Sequence, residues 1–263
     1  MDRAQNLVIQ LARDAGQLLL DYFHKPDLSI NRKSDHSLVT EADVKADQLI
    51  STTIKSHFPD DTILSEEIQP QFLNDPRDTV WIVDPLDGTT NFSMGIHYWG
   101  VLIAKIESGV PVLAVQFFPA MDELYFARKD GGAYLNDSHI QVEDLQKDQK
   151  VTFFSCCSRT FKNYQVSIPY KTRIFGSAAY SMCSVARGIA RTAFEARAKI
   201  WDIAGAWLLV REAGGVIEQL EGNTPFPLVP GMNYATCNFS IIASASQKYL
   251  QLGREQIRPL IKP

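Results

Sequence analysis

The chain is short of the residues that most metal, disulfide and membrane proteins depend on. It has only four cysteines, Cys156, Cys157, Cys183 and Cys237, and none shows CxxC spacing. The adjacent Cys156 and Cys157 are poorly placed to bridge each other or to share a zinc ion, so the four read as reduced, mostly buried small apolar residues. The five histidines stand singly and offer no pair at ligand spacing, which argues against a zinc enzyme or a histidine-based triad. There is no excess of positive charge. Lys and Arg number 26 against 30 Asp and Glu, for a net charge of −4, which argues against a surface that tracks nucleic-acid phosphates. No apolar run approaches the length of a membrane span, and Met1-Asp2-Arg3-Ala4-Gln5 lacks the basic start and apolar core of a signal peptide. The expectation is a cytoplasmic protein with neither a nucleic-acid nor a membrane partner.

What is present is an ordinary globular composition, 45% hydrophobic and 21% charged over 263 residues, enough to bury a substantial core in one large domain or two small ones. Apolar residues at helical spacing (Leu7, Val8, Leu11, Ala12, Ala15, Leu18, Leu19) predict an amphipathic helix over Gln5 to Phe23. A polar loop is expected through Asn31 to Ser37, then a second helix that opens after Thr40 and stops at Pro59. Thr62-Ile63-Leu64 reads as a short strand and Val80 to Val83 as a buried one that Pro85 and Gly88 end sharply. Trp99 to Ile106, Val110 to Phe118 and Glu123 to Arg128, separated by turns, predict an antiparallel meander. Further on come a strand at Val151 to Cys156, a helix from Ala178 to Gly188, a nearly all-apolar helix from Ile203 to Ala213 stopped by Gly214-Gly215, a strand at Ser240 to Ala243 and a closing helix near Gln247 to Leu260. No repeat, low-complexity tract or linker interrupts this order. Helices packed on sheets in alternating layers is the architecture expected.

The acidic residues at element ends carry the chemistry. Asp84 and Asp87 sit in the turn that follows an apolar strand, where α/β architectures commonly place function. Asp followed by Pro, with Gly at the close, is equally ordinary turn chemistry. Glu66-Glu67 suits a solvated loop, Asp202 a helix N-cap and Asp43 a first-turn acid. Together, with no basic partner nearby in sequence, Asp43, Glu66, Asp84, Asp87 and Asp202 would build an all-oxygen site suited to Mg²⁺ and to phosphoryl transfer. The amides of Gly88, Thr89 and Thr90 would hold phosphate oxygens, and a hydroxyl such as that of Thr89 would orient the attacking water.

Asp84-Pro85-Leu86-Asp87-Gly88-Thr89-Thr90-Asn91-Phe92 and Trp201-Asp202-Ile203-Ala204-Gly205-Ala206, with Glu212-Ala213-Gly214-Gly215, resemble the two signatures of the inositol monophosphatase family. Lys33-Ser34, Leu38 to Asp43, Ser65-Glu66-Glu67, Ala127 to Ala133 and Gly176 to Ala179 follow in family order, so the resemblance spans nearly the whole chain. It implies an α+β fold layered α-β-α-β-α, of the inositol monophosphatase and fructose-1,6-bisphosphatase type. It implies one phosphatase domain over 1–263, with most metal ligands and an antiparallel sheet in about 1–150 and the substrate rim and the Asp202 helix in about 151–263. One Mg²⁺ is expected between Glu66, Asp84 and the Leu86 carbonyl, a second at Asp84, Asp87 and Asp202, and a weaker third near Glu66. Asp43 and Thr89 match the pair that activates water, and the amides of Gly88 and Thr89 match the phosphate cradle. Lys33 matches a loop lysine near the metals, and Gly176, Ser177, Ala178 and Glu195 match contacts to the alcohol part of the substrate.

The resemblance further implies a lithium-sensitive, homodimeric phosphoric monoester hydrolase whose small-molecule substrate is a polyol or sugar phosphate, inositol monophosphate first. Two departures bear on specificity: Gly188-Ile189-Ala190-Arg191-Thr192 has a cation where relatives often have an acid, and the segment from Cys157 to Ile174 is short, with no helical pattern over Tyr164 to Tyr170. Relatives acting on a nucleotide 3′-phosphate (adenosine 3′,5′-bisphosphate) or on fructose 1,6-bisphosphate are the alternative, with Arg191 favouring a second anionic group. A regulatory binding protein built on the same fold is a third reading.

Overall fold

The computed structural model describes residues 3–23, 25, 30–32, 38–67, 79–142 and 152–260. In chain order the elements are α1 (Arg3–Phe23), β1 (Ile30–Arg32), β2 (Leu38–Thr40), α2 (Glu41–His57), β3 (Thr62–Ser65), β4 (Val80–Asp87), α3 (Thr89–Ser93), β5 (Gly100–Glu107), β6 (Val110–Phe118), β7 (Glu123–Arg128), β8 (Ala133–Leu135) and β9 (Ser138–Ile140). They continue as β10 (Phe153–Cys156), α4 (Thr160–Asn163), β11 (Tyr164–Val166), β12 (Lys171–Arg173), α5 (Ala178–Ala186), β13 (Ala190–Ala198), α6 (Ile200–Glu212), β14 (Val216–Glu221), β15 (Phe239–Ser244), α7 (Gln247–Gln256) and β16 (Ile257–Pro259). No helix among the described residues is long and apolar enough to cross a membrane.

Two sheets carry the layers. The larger has the order β3-β4-β5-β6-β7-β8-β9, with β3 parallel to β4 and every other pair antiparallel. The smaller has the order β12-β10-β13-β15-β14. Because side chains alternate along a strand, β4 feeds both faces of its sheet. Trp81 and Val83 enter the core shared with α1 and α2, while Val80 and Ile82 enter the core shared with α5 and α6. Helix α6 touches strands of both sheets and is apolar almost all round, as a central helix must be. Helix α7 covers the far face of the smaller sheet, against β13, β14 and β15. The result is the expected α-β-α-β-α sandwich.

Glu212, at the C-terminal end of α6, accepts hydrogen bonds from the amides of Asp130 and Gly132, both at 2.9 Å, and so fastens the helix to the β7–β8 turn. The stop at Gly214-Gly215 is present, with the Gly215 amide donating to Val210 O at 2.8 Å.

The main departures from the sequence-based expectation lie in short elements. Asn31 and Arg32, expected in a loop, belong to β1, which pairs with β2. Residues 33–37 and Val151 lie outside the described residues. The closing helix stops at Gln256, after which Ile257–Pro259 pairs antiparallel with β11. The helix from Ala178 ends at Ala186 rather than Gly188. Segment 157–174 holds the short α4 with β11 and β12. Pro85 does not end β4, which runs on to Asp87 through a bulge.

Candidate active site

The bulge in β4 brings the first two acids together. Asp84 stands opposite Leu102 and Asp87 opposite Gly100, so Pro85 and Leu86 face Val101 alone. Positions three apart on a regular strand would face opposite sides; the extra residue returns both aspartates to one side. Pro85 has no N–H to offer the ladder, and a bulge is one of the few sheet positions that tolerates it. The Leu86 amide donates to Asp84 Oδ1 at 3.1 Å. Gly88 then turns the chain into α3 at φ +83°, where a Cβ would lie 2.7 Å from Tyr98 O. Only glycine meets both conditions without strain.

Asp202 arrives from α6. That helix begins at Ile200, so Asp202 lies in its first turn and is not the N-cap, and its Oδ2 accepts from the Lys199 amide at 2.8 Å. One carboxylate oxygen each from Asp84, Asp87 and Asp202 lie within 4.8 Å of one another. Burial pushes Asp84 and Asp202 well above the usual carboxylate range, and the neighbouring acids, Glu66 among them, push the same way. Asp87 is pushed up to about 6, mainly by burial, with the Ser177 hydroxyl bond opposing. The Lys199 ammonium donates to Ala235 O at 2.7 Å and is in no ion pair among the described residues. Three crowded carboxylates with raised pKa, two of them buried and Asp202 half-buried, and no ion pair among the described residues fit a hard divalent cation.

Glu66 follows β3, and its amide donates to Val83 O at 3.2 Å, which sets it beside the end of β4. Its charge is felt at Asp43, Asp84, Asp87 and Asp202. Asp43 sits in the first turn of α2, where Thr40 donates both its amide, at 2.8 Å, and its hydroxyl to Asp43 Oδ2. The capping expectation for Asp43 is therefore correct, and its second oxygen faces the site: Thr89 Oγ1 lies 3.3 Å from Asp43 Oδ1 and 3.0 Å from Leu86 O.

From the other side, Ser177 caps α5, accepting from the Tyr180 amide at 3.0 Å and donating its hydroxyl hydrogen to Asp87 Oδ2. The Ala178 and Ala179 amides also donate to Asp87. Gly176 packs against Asn91, whose Oδ1 would lie 2.8 Å from an added Cβ. Glu195 is buried on β13, takes a hydrogen bond from Ser181, and has its carboxyl held well above the usual range by burial. Asp87, Gly176, Ser177, Ala178, Glu195 and Asp202 share a cleft of about 240 Å³. Lys33 lies outside the described residues. Arg191 does not line this cleft; its guanidinium stacks over the Tyr249 ring, 4.7 Å from the centroid.

Sequence reasoning missed several contributors. Asp47, buried in α2, accepts from Ser51 Oγ at 2.7 Å and Ser65 Oγ at 2.5 Å, and so fixes the residue before Glu66. Its only signal was an acid on the helix face that also carries Asp43. Asn91 Nδ2 donates to both Tyr98 O and Phe175 O at 2.7 Å, tying α3 to the segment that enters Gly176. Arg159 and Arg197 also line the cleft. Nothing in their spacing sets them apart from surface arginines.

Similarity to known proteins agrees with this geometry. The chain is 36% identical over 230 residues to a protein named Nus factor SuhB from Xylella fastidiosa, covering 83% of this chain and 82% of that one. It is 36% identical over 221 residues to a histidinol-phosphatase from Chlorobaculum parvum, covering 80% and 83%. A solved structure of an IMPase from Thermotoga maritima superposes with a TM-score of 0.78 at 27% identity, covering 97% of this chain and 98% of the other. The carboxylate cluster, the glycine turn and the layered fold thus occur in a chain whose residues 1–258 match one family model, and the protein belongs to the inositol monophosphatase family.

Proposed function

We propose that the protein is a Mg²⁺-dependent phosphomonoesterase acting on a small polyol or sugar phosphate, with inositol monophosphate the first ester to assay. The observation that carries this reading is the convergence of Asp84, Asp87 and Asp202 within 4.8 Å, with none of the three in an ion pair among the described residues. In this reading residues 1–263 form one phosphatase domain. Glu66, Asp84, the Leu86 carbonyl, Asp87 and Asp202 would hold two to three Mg²⁺ ions. Those ions supply Lewis-acid stabilisation of the phosphoryl oxygens.

The remaining roles belong to the chain itself. Thr89 Oγ1, poised between Asp43 Oδ1 and Leu86 O, orients a water for in-line attack, with Asp43 as the proton acceptor. Asp43 is suited to that role because burial raises its pKa while Thr40 occupies only Oδ2. The amides of Gly88 and Thr89 face the phosphoryl group. Gly176, Ser177, Ala178 and Glu195 border the alcohol, and Lys33 is assigned to the metals by its place in the sequence alone. Lithium sensitivity, a homodimer and a cytoplasmic location complete the proposal.

Replacing Asp87 by Asn should nearly abolish Mg²⁺-dependent hydrolysis while the far-UV circular dichroism stays native; retained turnover would sink the assigned role. The likeness to a protein named a Nus factor supports a second reading, a regulatory binding protein on the same fold. Full complementation of a deletion strain by the Asp87→Asn variant would favour that second reading.

A further inference from the structure

We propose that the alcohol part of the substrate carries a second anionic group, a phosphate or a carboxylate, held by Arg159 and Arg197. This rests on the phosphatase reading of the same cleft. The lining of the cleft combines the acids Asp87 and Asp202, suited to cations and the transferred phosphoryl group, with two cations of the chain, Arg159 and Arg197.

The two guanidinium groups come from separate elements. Arg197 follows Glu195 by two positions on β13, and Arg159 immediately precedes α4. Both residues are exposed, and among the described residues neither is in an ion pair or over an aromatic ring. The other arginine near this sheet, Arg191, is taken up by Tyr249. Arg159 is anchored through its main chain, its carbonyl accepting from the Lys162 amide at 3.1 Å and Asn163 Nδ2 at 3.0 Å, which leaves its head group available.

A neutral polyol has no use for two guanidinium forks, whereas a phosphate or carboxylate is matched by them in charge and in planar geometry. An alcohol bearing an ammonium group would be repelled. Glu195, on the same lining, is left to accept from hydroxyls.

The test compares catalytic efficiencies with Mg²⁺ for fructose 1,6-bisphosphate and 3-phosphoglycerate, which carry a second phosphate and a carboxylate, against inositol 1-phosphate and glycerol 2-phosphate, and against histidinol phosphate. The wild-type protein should prefer at least one doubly anionic ester over the neutral ones by about tenfold or more, roughly one good charge-assisted contact. In the R159Q/R197Q double variant that ratio should fall to near one, mainly through KM. Equal or better use of a neutral or cationic ester by the wild type overturns the proposal, as does a preference that survives the double substitution. If no ester is turned over, the phosphatase reading fails by itself, and metal-free calorimetric titration decides the arginine site. Saturable binding of fructose 6-phosphate, absent for fructose and lost in the double variant, would uphold it; any other result would overturn it.

Discussion

The hydroxyl of Ser177 donates its hydrogen to Asp87 Oδ2, joining the first turn of α5 to the end of β4 across 90 positions of sequence. This bond favours the charged form of Asp87 and opposes the burial that pushes its pKa up. Ser177→Ala should therefore raise the Asp87 pKa further and move the acid limb of the pH–rate profile to higher pH. The same change removes the N-cap of α5 at a cost of about 1 kcal/mol, readable by urea denaturation.

Asp202→Asn removes one of three crowded carboxylates and leaves an oxygen to accept from the Lys199 amide. The metal-free protein should melt at a higher temperature than wild type, because one of three crowded like charges is gone. The rise in Tm that Mg²⁺ gives the wild type should be lost. Scanning calorimetry with and without Mg²⁺ checks both.

The pH dependence has a definite sign. Asp87 moves from an ordinary 3.8 to about 6 on folding, and Asp84 and Asp202 rise with it. Between the unfolded and folded values the folded state binds more protons, so the contribution of these acids to metal-free stability is greatest at low pH and falls as pH rises through that window. Mg²⁺ should raise Tm more at pH 8, where Asp87 has released its proton, than at pH 5. An Mg²⁺ effect of equal size at both values would contradict the raised pKa of the cluster.

Thr89→Ala deletes the hydroxyl between Asp43 and Leu86 without touching a carboxylate. The kcat should fall about 100-fold or more, while Mg²⁺ affinity from the thermal shift stays close to wild type.

Gly88→Ala combines a left-handed backbone at φ +83° with a Cβ 2.7 Å from Tyr98 O. The left-handed conformation alone costs about 1–2 kcal/mol. At ~2–4 °C of Tm per kcal/mol for a chain near this size, a drop of several degrees is expected by differential scanning fluorimetry.

What could be read in advance follows from how strongly each element is written in local pattern. The helix beginning at Gln5 and the meander from Trp99 to Arg128 have long periodic stretches, and the acids at Asp43, Asp84, Asp87 and Asp202 sit at element ends that those patterns locate. β1, β11 and β16 have three residues each, too few for a period to register; β1 is completed by β2 just after it, and β11 and β16 by each other across more than ninety positions. The bulge at Pro85 is decided by pairing with β5, so from sequence the proline looked like a terminator. Asp47 was overlooked because its serine partner on β3 lies 18 positions away. Arg191 was assigned to the substrate side by its place in the sequence, whereas Tyr249, on a helix far down the chain, draws its guanidinium elsewhere.

Helix α6 has Asp202 near one end and Glu212, clamped to the Asp130–Gly132 turn, at the other. Thirteen residues at 1.5 Å apiece make it a strut roughly 20 Å long. The helix that presents Asp202 is thus held at its far end by the two hydrogen bonds of Glu212. A single element therefore joins the two regions of the chain: one carboxylate of the cluster and the clamp on the β7–β8 turn are borne on the same helix.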